Sequence, residues 1–91
     1  MIRIAIVDDH PMVRAGLRQF FSDQPDFSVV GEAANGREAL DIVRRGELDV
    51  ILMDIAMPDH GGVDALAAIK ARAPDLPVLI LSGFLEAHYA T

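Results

Sequence analysis

Four polar residues stand where short apolar runs of the chain end. Asp8 and Asp9 follow the run 2–7, Asp54 follows 50–53, and Ser82 follows 78–81 with its last apolar residue, Leu81. If the runs are parallel strands of one sheet, all of these side chains converge on one rim. Carboxylates crowded together repel one another, and a cation relieves that repulsion. Mg²⁺ is the natural choice, because it takes a few hard oxygen ligands, keeps several waters and completes its shell from a phosphate. An accessible aspartate beside such an ion can attack phosphorus in line while the ion neutralises charge on the phosphoryl oxygens. Asp54 is the strongest nucleophile candidate, since Ile55-Ala56-Met57-Pro58 behind it reads as a loop that opens the rim to a ligand. Ser82 could then donate a hydrogen bond to a phosphoryl oxygen.

Each residue alone has a plainer reading. An aspartate at a strand end often forms a turn, and either Asp9 or His10 could cap the helix that starts near Pro11. The three aspartates together are harder to dismiss, because they require a common rim. His10, His60 and His88 are scattered without the i, i+4 partner of a helical metal site, which disfavours each as a ligand, and His60, in the loop after Asp54, reads as a solvated residue. Arg44-Arg45 and the i, i+4 pair Arg14 and Arg18 read as exposed helix faces, with kinase docking as the functional alternative. Gly61-Gly62 is too short for a phosphate cradle, and neither nucleotide-binding glycine pattern occurs.

The elements that must position these residues follow from apolar spacing. Runs 2–7, 27–30, 50–53 and 78–81 are rich in β-branched residues, and most are apolar on both faces, as in a parallel sheet between helix layers. Val13, Leu17, Phe20 and Phe21 share one helical face, with Pro11 suited to the first turn. Asn35 can cap a second helix carrying Ala39, Leu40 and Val43, and Gly46 can stop it. Leu66, Ile69 and Ala73 suggest a third, ended by Pro74. The order βαβαβαβ predicts right-handed crossovers and a doubly wound parallel α/β sheet, which binds ligands beyond the carboxyl ends of its strands.

The 91 residues make one small domain, 52% of it hydrophobic. No apolar stretch reaches the roughly 20 residues of a membrane span, and the start lacks the pattern of a signal peptide, so a cytoplasmic protein is expected. The absence of cysteine excludes a thiolate metal site and a cysteine nucleophile. A formal charge of −6 argues against this segment gripping nucleic acid, which needs a basic surface.

Taken together, Asp8-Asp9 after an apolar strand, the stretch Leu52-Met53-Asp54-Ile55-Ala56-Met57-Pro58 with Gly62 behind it, and Leu81-Ser82-Gly83 resemble the receiver domain of two-component response regulators. The opening Ile6-Val7-Asp8-Asp9-His10-Pro11-Met12-Val13-Arg14-Ala15-Gly16-Leu17 is similar to the NarL/FixJ class, whose members usually carry a LuxR-type DNA-binding output domain. The resemblance implies a flavodoxin-like fold, with strand order 2-1-3-4 here and the family's fifth strand and helix missing from the chain. It implies that Asp54 is phosphorylated by a sensor histidine kinase. Asp9 would be a direct Mg²⁺ ligand, Asp8 a ligand acting mainly through water, and the backbone carbonyl of Ala56 a further one. Asp54 itself would complete the protein's share of the shell. Ser82 stands where the family has a Thr or Ser that moves toward the phosphoryl group, and Pro58 and Gly62 would shape the loop. The family also carries a lysine at the end of its fifth strand; Lys70, the sole lysine of this chain, does not match it.

Residues 1–91 are therefore expected to form a truncated receiver: a regulatory phosphoacceptor, not an enzyme with a separate substrate. DNA would be contacted only through an output domain outside the chain. The missing unit would leave the edge of strand 78–81 and the face of Val13, Leu17, Phe20 and Phe21 uncovered, so self-association is expected. A hydrolase using an aspartyl-phosphate is the competing class; it commonly needs a general acid two residues after the nucleophile, where this chain has Ala56. A third class is an interaction module that kept the fold and lost the chemistry.

Overall fold

The structure is a computed structural model that describes residues 1–54 and 62–80. Strands β1 (Ile2–Val7), β2 (Phe27–Ala33), β3 (Val50–Met53) and β4 (Val78–Ile80) alternate with helices α1 (Pro11–Ser22), α2 (Gly36–Arg45) and α3 (Gly62–Arg72). The sheet order is β2-β1-β3-β4 and every pairing is parallel, as expected from the alternation. β1 is central: Val7 lies opposite both Ala33 and Met53, which brings the ends of three strands level. Strand β2 runs three residues beyond the expected 27–30, through Gly31, Glu32 and Ala33.

Local signals explain where the helices start and stop. Asn35 Oδ1 accepts from the Glu38 amide at 2.9 Å, and Glu38 Oε1 accepts in return from the Ala34 amide at 2.8 Å. This reciprocal pair ties off one first-turn amide of α2, that of Glu38, and the amide of Ala34 just ahead of the cap. Gly46 ends α2 in the left-handed region at φ 72°, where a side chain would be strained. Lys70 Nζ donates to Leu76 O at 2.9 Å and secures the exit from α3.

Alternation along the strands places Ala5, Val7, Ile51 and Met53 on one face, where they pack in a core with Ala33, Ala39, Ile42, Val43, Ala65 and Ile69. Helices α2 and α3 cover that side, and α1 packs on β1 and β2. The close fit of α2 depends on Gly31: a Cβ there would stand 3.0 Å from Ile42 Cδ1. A one-residue irregularity in the β1–β2 pairing between Ile4 and Ala5 accompanies it.

Helix α1 differs from the other two. None of its residues is fully buried, and Val13 and Phe20 are 44% and 58% exposed. Phe21 makes the better contact, edge-to-face with Phe27 of β2 at 5.1 Å between ring centres. Leu79 and Ile80 of β4 are also exposed. Of the helix face marked as apolar in the sequence, Val13 and Phe20 are thus exposed while Leu17 and Phe21 are partly buried. No helix of the described residues is long and apolar enough to cross a membrane.

Candidate functional site

Two backbone hydrogen bonds carry the sheet one residue beyond its strands. The Asp8 amide donates to Ala33 O at 3.0 Å, and the Asp54 amide donates to Val7 O at 2.9 Å. Asp8 is thereby tied to β2, and Asp54 to β1, before either chain leaves the sheet. The two carboxylates are held side by side by the same ladder that defines the fold, and they are 2% and 6% exposed. Asp9, one residue further, lies at the outer margin. One oxygen from each of Asp8, Asp9 and Asp54 and a nitrogen of His10 all fall within 4.8 Å of one another. The structure thus assembles the acidic cluster expected from the strand ends.

His10 enters by a route that its spacing from other histidines does not reveal. Its amide donates to Asp8 Oδ1 at 2.6 Å, the turn in which an aspartate bonds the backbone two residues on. His10 does occupy the cap position of α1, but its side chain makes no capping bond. The ring faces the carboxylates instead, with Nδ1 3.0 Å from Asp8 Oδ1, 2.9 Å from Asp9 Oδ1 and 3.9 Å from Asp54 Oδ2. Spacing from other histidines disfavours a ligand role for His10, yet its half-exposed ring borders the site. The discoverable signal was its place two residues after Asp8.

Arg14 is a residue that the surface reading misplaced. Its Nη1 donates to the backbone carbonyl of Asp8 at 2.6 Å, and its Nε lies 3.3 Å from Glu32 Oε1 of β2. Arg18, one turn on, reaches only the other oxygen of Glu32 at 3.5 Å and remains largely exposed. The two arginines are not an equivalent solvated pair; Arg14 braces the backbone that carries Asp8.

The donor set can be tested against a metal ion. Asp9 Oδ1 is buried and has no hydrogen bond; His10 Nδ1 has the distance but not the direction of one. A buried carboxylate oxygen without a partner is costly, and oxygen donors flanked by an imidazole suit a hard or borderline divalent cation. The residues fit such an ion. Among the other expected site residues, Ser82, Ala56 and Pro58 lie outside the described residues, and Gly62 is the first residue of α3.

The response regulator receiver domain matches residues 4–91 of the chain. The chain belongs to the response regulator receiver family. This receiver is 45% identical over 85 residues to the response regulator VraR of Staphylococcus aureus, an overlap that covers 93% of this chain and 41% of VraR. The signal receiver domain of NarL from Mycobacterium tuberculosis superposes with a TM-score of 0.79 at 34% identity, over 90% of this chain and 66% of that one. A LuxR-family two-component response regulator from Aurantimonas sp. gives a TM-score of 0.82 at 36% identity, over 90% of this chain and 59% of its own. The relatives are thus of the NarL and LuxR class that the opening residues resemble. The receiver spans about two-fifths of the length of the curated relatives it matches. Receivers of this family are regulatory, and the flavodoxin-like fold with strand order 2-1-3-4 is shared with the solved neighbours.

Proposed function

We propose that residues 1–91 form a phosphorylation-dependent signalling receiver in which Asp54 accepts a phosphoryl group from a phosphohistidine of a sensor histidine kinase. The observation that carries this reading is the Asp54 carboxylate held by the β1–β3 ladder next to Asp8 and Asp9. An Asp54 oxygen would attack phosphorus in line as the P–N bond to the donor imidazole breaks, its electron pair leaving on the ring nitrogen. Asp8, Asp9, Asp54 and the Ala56 carbonyl would hold Mg²⁺. When bound, the ion offsets the carboxylate charge and the charge on the phosphoryl oxygens.

The chain's own residues have distinct tasks in this scheme. Arg14 fixes the Asp8 backbone through its carbonyl, so the Asp8 side chain is presented from a braced position. Asp9, at the margin, contributes the oxygen that lacks a hydrogen bond. Ser82 would donate to a phosphoryl oxygen, with Pro58 and Gly62 shaping the loop that admits the donor. Lys70 takes no part, because its ammonium is engaged by Leu76 O ahead of β4, at the opposite end of the sheet. The acyl phosphate would shift the domain between two states and so control a DNA-binding output domain outside this chain, in the cytoplasm.

Incubation with Mg²⁺ and a small phosphoramidate donor should give a single mass increase that hydroxylamine reverses, as an acyl phosphate requires. Asp54→Ala should remove it. Labelling of Asp54→Ala at the wild-type level would overturn the assignment.

A further inference from the structure

Arg14 fixes the main chain of Asp8; His10, the rim residue that the phosphotransfer scheme does not use, meets its side chain. The His10 amide donates to Asp8 Oδ1 at 2.6 Å, and its ring Nδ1 lies 3.0 Å from the same oxygen. A carboxylate only accepts, so the ring is the donor and carries a proton on Nδ1. The contact of Nδ1 with Asp9 Oδ1, at 2.9 Å, lacks the direction of a hydrogen bond, and that oxygen has no hydrogen-bond partner. One N–H has one favourable direction. The donation therefore goes to Asp8, whose side chain is 3% exposed, and not to Asp9.

The ring is aimed by a closed circuit of bonds. Pro11 restricts His10 to extended backbone, seen in its φ of −98° and ψ of 108°. The His10 carbonyl accepts the Arg14 amide at 2.9 Å, and the Arg14 guanidinium donates back to the Asp8 carbonyl at 2.6 Å. The ring makes no capping bond for α1 and is turned to Asp8 instead. An aspartate carboxylate turns easily about its last torsion, which is broad and twofold, so one donor leaves its plane loosely set. Two donors converging on one oxygen pin it, fill the acceptor positions of Oδ1 and leave Oδ2 as the oxygen that Asp8 offers to the rest of the rim. We infer that His10 is a positioning residue, whose Nδ1–H bond to Asp8 Oδ1 fixes the Asp8 carboxylate in the orientation that phosphorylation of Asp54 uses. The inference rests on the phosphotransfer reading of this rim.

The test uses the full 91-residue chain. Nitrogen-15 correlation spectra of the histidine rings at neutral pH should show a protonated Nδ1 for His10, its signals assigned by their loss in His10→Asn. His10→Ala keeps the amide bond to Asp8 and removes the ring donor alone. Labelling of Asp54 with Mg²⁺ and a small phosphoramidate should slow by about 10–100-fold in that variant, which is what losing the hydrogen-bond partner of a ligating carboxylate costs. His10→Asn, whose side-chain amide can donate from the place of Nδ1, should regain most of the rate. His10→Ser restores a helix cap but is too short to reach Asp8, and it should stay slow. An unprotonated Nδ1 in the wild type, or labelling of His10→Ala at the wild-type rate, overturns the inference and leaves Asp54 as the acceptor. Equal recovery in His10→Asn and His10→Ser also overturns it, since His10 would then matter only through the start of α1. A wild-type chain that takes no hydroxylamine-sensitive label removes the phosphotransfer reading, and the inference with it.

Discussion

Arg14 offers the most direct test of how the site is built, because the structure gives it one interaction with Asp8 and one with Glu32. Arg14→Ala removes a charged donor from the Asp8 carbonyl, at 2.6 Å, and an ion pair with Glu32 at 3.3 Å. A hydrogen bond to a charged group contributes about 1.5–3 kcal/mol. The ion pair joins side chains that are 21% and 29% exposed, so solvent screening limits it to about 1 kcal/mol or less. The sum, about 1.5–4 kcal/mol, corresponds to a fall in thermal midpoint of about 6–30 °C for a domain of this size. Glu32→Gln isolates the smaller part and should lower the midpoint by less than about 8 °C. The assay is a thermal melt followed by circular dichroism, with and without millimolar Mg²⁺. Arg14→Ala should also respond less to Mg²⁺ than Glu32→Gln does, because the carbonyl it loses belongs to a metal-site residue. A midpoint for Arg14→Ala within about 3 °C of wild type would show that Arg14 is a surface residue after all. Equal effects of the two substitutions would place the energy in the Glu32 pair and refute the bracing argument.

Three further outcomes follow from the same geometry. Divalent metal should stabilise the fold by about 1.4 kcal/mol at tenfold excess over its dissociation constant, and Asp9→Ala should remove most of that gain; identical melts with and without metal would contradict the site. The Arg3 guanidinium and amide hydrogen-bond to Asp49 and hold its carboxyl below the usual carboxylate range. Its stabilising contribution is therefore complete above the unfolded carboxylate's titration and is lost as pH falls through the depressed folded value. Urea midpoints of wild type and Asp49→Asn should converge between about pH 6 and about pH 3, and less steeply in high salt; parallel profiles would refute it. The exposed Val13, Phe20, Leu79 and Ile80 should drive association of the 91-residue chain with itself in the micromolar to millimolar range where exposed apolar surface becomes visible, about 10–100 μM. Light scattering that holds the monomer mass across that range would show these surfaces to be inert.

The sequence alone determined the parts governed by near neighbours along the chain. Apolar runs and their alternation with helical spacing dictate the four parallel strands and three helices of the described residues, since each element must bury its own face. Asn35 and Gly46 mark the ends of α2 because capping is a matter of a few residues. Asp8, Asp9 and Asp54 were legible as a rim because a parallel sheet has one carboxyl edge, and the resemblance to receivers rests on the same residues. Only the tertiary structure decided the roles of His10 and Arg14. Spacing rules look for a second histidine on the same helix, whereas the partners of His10 come from β1 and β3, 44 residues apart at Asp54 and His10. Arg14 and Arg18 are alike in sequence, one turn apart on an amphipathic helix. Which of them reaches the Asp8 carbonyl depends on the rotation of α1 about its axis and its distance from β2. Those quantities are set by contacts such as Phe21 on Phe27, formed between elements when they pack, and no local pattern encodes them.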